Sequence, residues 1–167
     1  MRTLVIFIAA LVLGTAPARA QAPAPSIEGT IGYAAFVDDA TIDHLVLGGS
    51  ARVYLTRRLS IQPEVTYMRG PETDRDWIVT GNLVLDFLGP DAAGKAPAVT
   101  PYVLAGGGLF RHSNEFGNRT FSSTEGAFTG GGGVRLAITD RFYLAPEARL
   151  GWELHGRLSV TLGWRLR

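Results

Sequence analysis

The feature that most constrains this chain is a period of two in which nine charged residues fall on one phase. From His44 to Thr56, Leu45, Leu47, Gly49, Ala51, Val53 and Leu55 are apolar or small. They alternate with His44, Val46, Gly48, Ser50, Arg52, Tyr54 and Thr56, which hold the polar groups. Neighbouring side chains of a strand point to opposite faces, so this pattern builds a strand with one apolar and one polar face. The same rule sets Trp77, Val79, Leu83, Leu85 and Phe87 against Asp76, Thr80, Asn82 and Asp86, and Leu158, Val160, Leu162, Trp164 and Leu166 against Arg157, Ser159, Thr161, Arg165 and Arg167. Eight strands are expected in all. Glu28, Arg52, Glu64, Asp86, Arg135, Glu147, Arg149, Arg157 and Arg165 fall on the polar phase. A single buried core cannot take up so many ionised groups, since each costs several kcal/mol to desolvate. An all-β, eight-stranded antiparallel up-and-down transmembrane barrel resolves the conflict, with lipid on the apolar face and the charges in the lumen. Tyr67, Trp77, Phe87, Phe142, Trp152 and Trp164 then fall near strand ends, as expected of residues at the two lipid–water interfaces.

One phrase occurs twice. "RVYLTRRLSIQPE" from Arg52 to Glu64 and "RLAITDRFYLAPE" from Arg135 to Glu147 share Arg, Thr, Arg, Pro and Glu at an offset of 83 residues. Each reads as a tight hairpin, which puts Arg52 opposite Glu64 and Arg135 one diagonal step from Glu147, an ion pair built into each hairpin. Pro63 and Pro146 lack a ladder donor and are expected at a bulge or an unpaired position. The glycines from Gly130 to Gly133 are not followed by Lys-Ser/Thr, so they read as strand curvature and close approach, not as a phosphate loop. The connections "DDATID", "PETDRD" and His112 to Glu125 read as longer polar loops on one side of the barrel. "GPDAAGKAPA" is expected on the side of the short turns.

The N-terminus carries Arg2, an apolar run from Leu4 to Leu13 and Ala18-Arg19-Ala20, the pattern of a cleaved signal peptide over residues 1–20. Ten apolar residues are too few for a membrane helix, which needs roughly 20. A Pro/Ala leader at 21–25 and a barrel over 26–167 complete the expected organisation. Without Arg2 and Arg19, 14 of the 16 basic residues remain against 15 acidic ones, a formal charge of −1. That balance offers no basic surplus for nucleic acid. There is no cysteine, so no disulfide supports the fold.

The segments "PYVLAGGGLF", "GGGGVRLAITDRFYLAPEARLGW" and "VTLGWRLR" resemble the small outer-membrane β-barrel proteins of Gram-negative bacteria, the OmpA-like and OmpX-like class. The resemblance implies the outer membrane as location, with outer-membrane lipid and lipopolysaccharide around the barrel. It also implies the barrel-assembly machinery as a partner during biogenesis, and a structural, surface-interaction or narrow-pore role without catalysis. Such barrels commonly end on an aromatic residue. Here Trp164 precedes Arg167 by three positions, a departure from that pattern. The partner of the loops is left open.

Two other classes fit parts of the chain. The lipid A 3-O-deacylases resemble it in size and use His, Ser and Glu. His112, Ser113 and Glu125 are the residues available here, but His112 and Ser113 are adjacent and point to opposite strand faces. A lipocalin-like carrier would require the apolar phase inside. With no cysteine and no paired histidine spacing around His44 and His155, no cofactor or metal site is expected. The acids Asp38, Asp39, Asp43, Glu72, Asp74 and Asp76 read as a solvated surface and match no calcium loop.

Overall fold

The computed structural model describes residues 22–37, 41–72, 74–91, 95–116 and 119–166. The expected signal peptide, Asp38 and Asp39 lie outside them. Eight strands follow in order: β1 (Ser26–Val37), β2 (Thr41–Tyr54), β3 (Leu59–Arg69), β4 (Arg75–Asp86), β5 (Val99–Phe116), β6 (Arg119–Ala137), β7 (Phe142–Gly151) and β8 (His155–Arg165). Each pairs antiparallel with the next, and β1 closes onto β8 from Ser26↔Arg165 to Phe36↔His155. Closure leaves no sheet edge, the condition for a β-structure to cross a bilayer.

Burial alternates along the strands with the predicted phase. On β4, Trp77, Val79, Leu83 and Leu85 point outward while Asp76, Thr80, Asn82 and Asp86 point into the barrel. Leu150 and Leu158 are each 65% exposed on the outer wall. That wall is apolar, so the lipocalin-like reading fails. Aromatic pairs stand at both ends of the wall. Tyr67 and Trp77 have ring centroids 4.9 Å apart at one end, and Phe142 and Trp164 are stacked at 6.4 Å at the other.

The repeated phrase folds into the same turn twice. In the first copy the Leu59 carbonyl accepts from Leu55 and Thr56 N–H, and Thr56 Oγ1 accepts from Arg58 and Leu59 N–H at 3.2 and 2.9 Å. In the second, the Phe142 carbonyl accepts from Ile138 and Thr139 N–H, and Thr139 Oγ1 accepts from Arg141 and Phe142 N–H at 3.2 and 3.0 Å. A threonine hydroxyl thus satisfies turn donors that no strand can reach. The prolines mark matching breaks. Between β2 and β3 the ladder skips from Ser50↔Glu64 to Val53↔Ile61, and between β6 and β7 from Gly133↔Glu147 to Leu136↔Leu144. Pro63 and Pro146 sit in these gaps, and the register is the same on both sides, so no bulge residue is inserted.

Three expectations change. The stretch from His112 to Glu125 is not a long loop. β5 and β6 run on as one hairpin, 18 and 19 residues long, paired out to Phe116↔Arg119. Its polar residues read as loop because a strand that leaves the membrane no longer needs an apolar face. Trp152 does not join an outward aromatic belt. Glu153 and Leu154 take positive φ values of 56° and 38°, and the indole folds toward Glu125, donating from Nε1 to Oε2 at 3.2 Å. The third concerns Arg52 and Glu64. Glu64 faces Ser50, so the expected partner Arg52 lies further along β2 toward the turn. Of the connection "GPDAAGKAPA", the described residues 89–91 and 95–98 do lie at the end that carries the turns, where Arg57 Nη2 donates to the Asp91 carbonyl at 2.8 Å and Ala137 N–H to the Ala98 carbonyl at 2.8 Å.

Candidate functional site

An eight-stranded barrel has an interior that side chains alone can fill, and here they do so in tiers. Nearest the start of β1, Glu28 accepts from Arg52 Nε at 2.9 Å and Ser50 Oγ at 2.7 Å, and also from Gln62 Nε2 and the Tyr143 hydroxyl. Asp86 on β4 takes a bidentate grip from Arg135 at 2.9 and 3.0 Å, with the Tyr54 hydroxyl at 3.1 Å and Arg52 Nη1 at 3.9 Å. The next tier joins Glu64 to Arg149 and Arg157, both at 2.8 Å, and Glu147 to the same two arginines. Tyr102 links the tiers. Its hydroxyl donates to Glu147 at 2.9 Å, and Arg52 and Arg135 each lie 5.3 Å from its ring centroid.

Neither repeated phrase contains the ion pair expected of it. Arg52 meets Glu28 and Asp86, not Glu64, and Arg135 meets Asp86, not Glu147. Long side chains from a tilted, staggered wall converge on the barrel axis, where facing positions on one hairpin are no closer than those across the lumen. Glu28, Glu64, Asp86 and Glu147 are buried here with Arg52, Arg135, Arg149 and Arg157. Arg165 stands apart. It is half-buried at the mouth, donating to the Asp140 carbonyl at 3.0 Å with its guanidinium 5.0 Å from the Tyr143 ring centroid. Inward glycines make room for the large rings. A Cβ on Gly163 would come within 2.0 Å of the Tyr143 ring, and one on Gly133 within 2.8 Å of the Tyr102 hydroxyl.

Above the charges the lumen turns apolar. Ala34, Phe36, Val46, Met68, Ile78, Phe110 and Ala127 pack into one cluster, with Trp152 against it. The polar phase carries these exceptions in plain sight at Val46, Met68 and Ile78, but only the register shows that they share one height. A cavity of about 10 Å³ between the Glu64 tier and this apolar layer, lined by Glu64, Ile78, Arg149 and Trp152 among others, has room for roughly one water.

Beyond that layer, at the end opposite the short turns, lies a polar group that sequence spacing does not reveal. His44 Nε2 approaches Asp74 Oδ2 at 3.0 Å and Asp76 Oδ2 at 3.3 Å, while His112 Nδ1 approaches Asp76 Oδ1 at 2.7 Å and Asp74 Oδ1 at 3.5 Å. Asp76 is 2% exposed, so the reading of these acids as uniformly solvated does not hold. Of the deacylase-like residues, Ser113 pairs with Arg75 one position beyond His112, whose partner is Asp76, and Glu125 holds the Trp152 indole. Ser113 falls on the opposite face of β5 from His112, while Glu125, opposite Phe110 on β6, stands one diagonal step from His112.

A closed barrel with an apolar outer wall and an ion-paired lumen is a transmembrane β-barrel. Residues 5–161 match the outer membrane protein beta-barrel domain family, and the chain belongs to it. It is therefore a bacterial outer-membrane protein. No curated protein sequence matches significantly. Among solved structures the chain is similar to Neisserial surface protein A, with a TM-score of 0.74 at 16% identity, covering 85% of this chain and 97% of that one. The N-terminal barrel domain of OprF from Pseudomonas aeruginosa gives 0.67 at 16% identity, over 87% and 98%. The outer membrane enzyme PagL gives 0.50 at 16% identity, over 84% and 99%. At such identities the likeness is one of fold.

Proposed function

We propose that the protein is a non-catalytic barrel with a sealed lumen, serving the envelope as a stable scaffold whose outer end meets external partners. The observation that carries this is the lumen itself, where four buried acids and four buried arginines compensate one another beneath an apolar layer. Beneath the apolar layer, among the described residues, mutual pairing leaves no uncompensated ring of charge to attract a permeant ion, and the apolar layer itself is a constriction that excludes water from the path. The end bearing the β5–β6 hairpin faces outward and the turn end faces the periplasm, as the connections of this class are arranged. Lipid and lipopolysaccharide surround the apolar wall, and the assembly machinery receives the chain before it closes. Refolded protein in planar bilayers tests the reading. The expected record is free of unitary currents, whereas steady unitary conductance steps would overturn it. Incubation with purified lipid A, followed by mass spectrometry, tests the absence of catalysis, and release of a fatty acid would overturn that part.

A further inference from the structure

The four residues at the outer mouth come from four places in the fold. His44 projects from β2, Asp74 from the connection between β3 and β4, Asp76 from β4 and His112 from β5. One donor atom from each of His44, Asp74 and Asp76 falls within 4.8 Å of the other two. Gly70 makes the approach possible, because a Cβ there would stand 2.5 Å from His44 Nε2 and 2.7 Å from Asp74 Oδ2.

Protons alone serve this arrangement poorly. Each of the two imidazole nitrogens faces two carboxylate oxygens and can carry only one proton. Asp74 Oδ1, 3.5 Å from His112 Nδ1, makes no hydrogen bond, because the one proton on that nitrogen goes to Asp76 at 2.7 Å. A divalent cation between His44 Nε2 and the two carboxylates would draw on all three ligands at once. Bonds of about 2.0–2.2 Å in tetrahedral geometry separate donor atoms by roughly 3.3–3.6 Å. The observed separations from His44 Nε2 are 3.0 and 3.3 Å, and the two carboxylate oxygens lie within 4.8 Å of each other.

We infer that His44, Asp74 and Asp76 form a binding site for a first-row divalent transition ion such as zinc. One imidazole and two carboxylates suit zinc better than calcium, which takes six to eight oxygens. His112 holds Asp76 by its other oxygen, the outer hydrogen bond that metal-binding carboxylates commonly receive. The Phe36 ring, 4.7 Å from the His44 ring, closes the site from below. The side chains of Asp74 and His112 remain 15% and 39% exposed, which leaves an entry path. Occupation would tie β2, β4 and the connection before β4 together at the barrel mouth.

The test uses the whole barrel, refolded in detergent, stripped with EDTA and titrated with ZnCl2 by calorimetry, with CaCl2 as the comparison. One zinc per chain is expected, together with a rise in the temperature at which the folded gel band is lost. His44→Gln and Asp74→Asn should each weaken binding by at least about tenfold, the lower end of what even outer partners of a metal site contribute. Gly70→Ala should do the same while leaving every ligand in place. Folding of each variant is checked by its heat-modifiable band, and Asp74→Asn, at the partly exposed connection, serves if a strand variant fails to fold. Absence of zinc binding by folded wild type would overturn the inference. So would binding that none of the folded variants weakens. In either case the cluster is a histidine–carboxylate ion-pair group only.

Discussion

Replacing Glu64 by glutamine removes one charge from the middle of the lumen while keeping its volume. The Glu64 carboxylate receives Arg149 and Arg157 at 2.8 Å each and the Thr66 hydroxyl at 2.8 Å. An amide in its place could still accept through its carbonyl oxygen, but it would leave four buried arginines facing three acids. Breaking a buried ion pair by removing one partner costs about 3–5 kcal/mol, chiefly because the remaining charge is stranded. Glu147 still contacts both arginines, so the lower end, about 3 kcal/mol, is expected. That is roughly a hundredfold in the folding equilibrium. Urea unfolding of the refolded barrel, followed by the fraction of heat-modifiable band, measures it. The double variant Glu64→Gln/Arg157→Met restores the balance and should recover most of the loss. A single variant within about 0.5 kcal/mol of wild type, the range of exposed pairs, would refute the argument. So would a double variant whose loss equals the sum of the two singles.

Two further substitutions probe the wall and the turns. Val160→Arg places a charge on the lipid face between Ile31 and Pro146, four positions along β8 from the Trp164 belt, at a cost of about 2–4 kcal/mol near the bilayer midplane. Its expected outcome is loss of the heat-resistant folded band from the membrane fraction. Thr56→Ala and Thr139→Ala each free two turn N–H groups. Each should cost about 1 kcal/mol in the same urea assay, and the two losses should agree because the turns share one hydrogen-bond pattern.

The strand phases, the eight-strand count and the inverted polarity can be read from the chain alone, because side-chain direction along a strand depends only on local geometry. Trp77 and Val79 cannot share a face with Asp76 and Thr80 in any strand. The short turns are legible for the same reason, since Thr56 and Thr139 act within three residues of their own position. Who meets whom is another matter. Arg52 and Glu64 sit in one hairpin and look like partners, yet closure of the barrel hands Arg52 to Glu28 and Asp86, and Glu64 to Arg149 and Arg157. The apolar layer of Phe36, Met68 and Phe110 and the meeting of His44 with Asp74, Asp76 and His112 likewise join residues far apart in the chain. Such meetings depend on register, stagger and closure, which sum small displacements over all eight strands. Alternation determined what this chain could be, a barrel with its charges inside; only the closed barrel decided which charges neutralise one another and where a cation could be held.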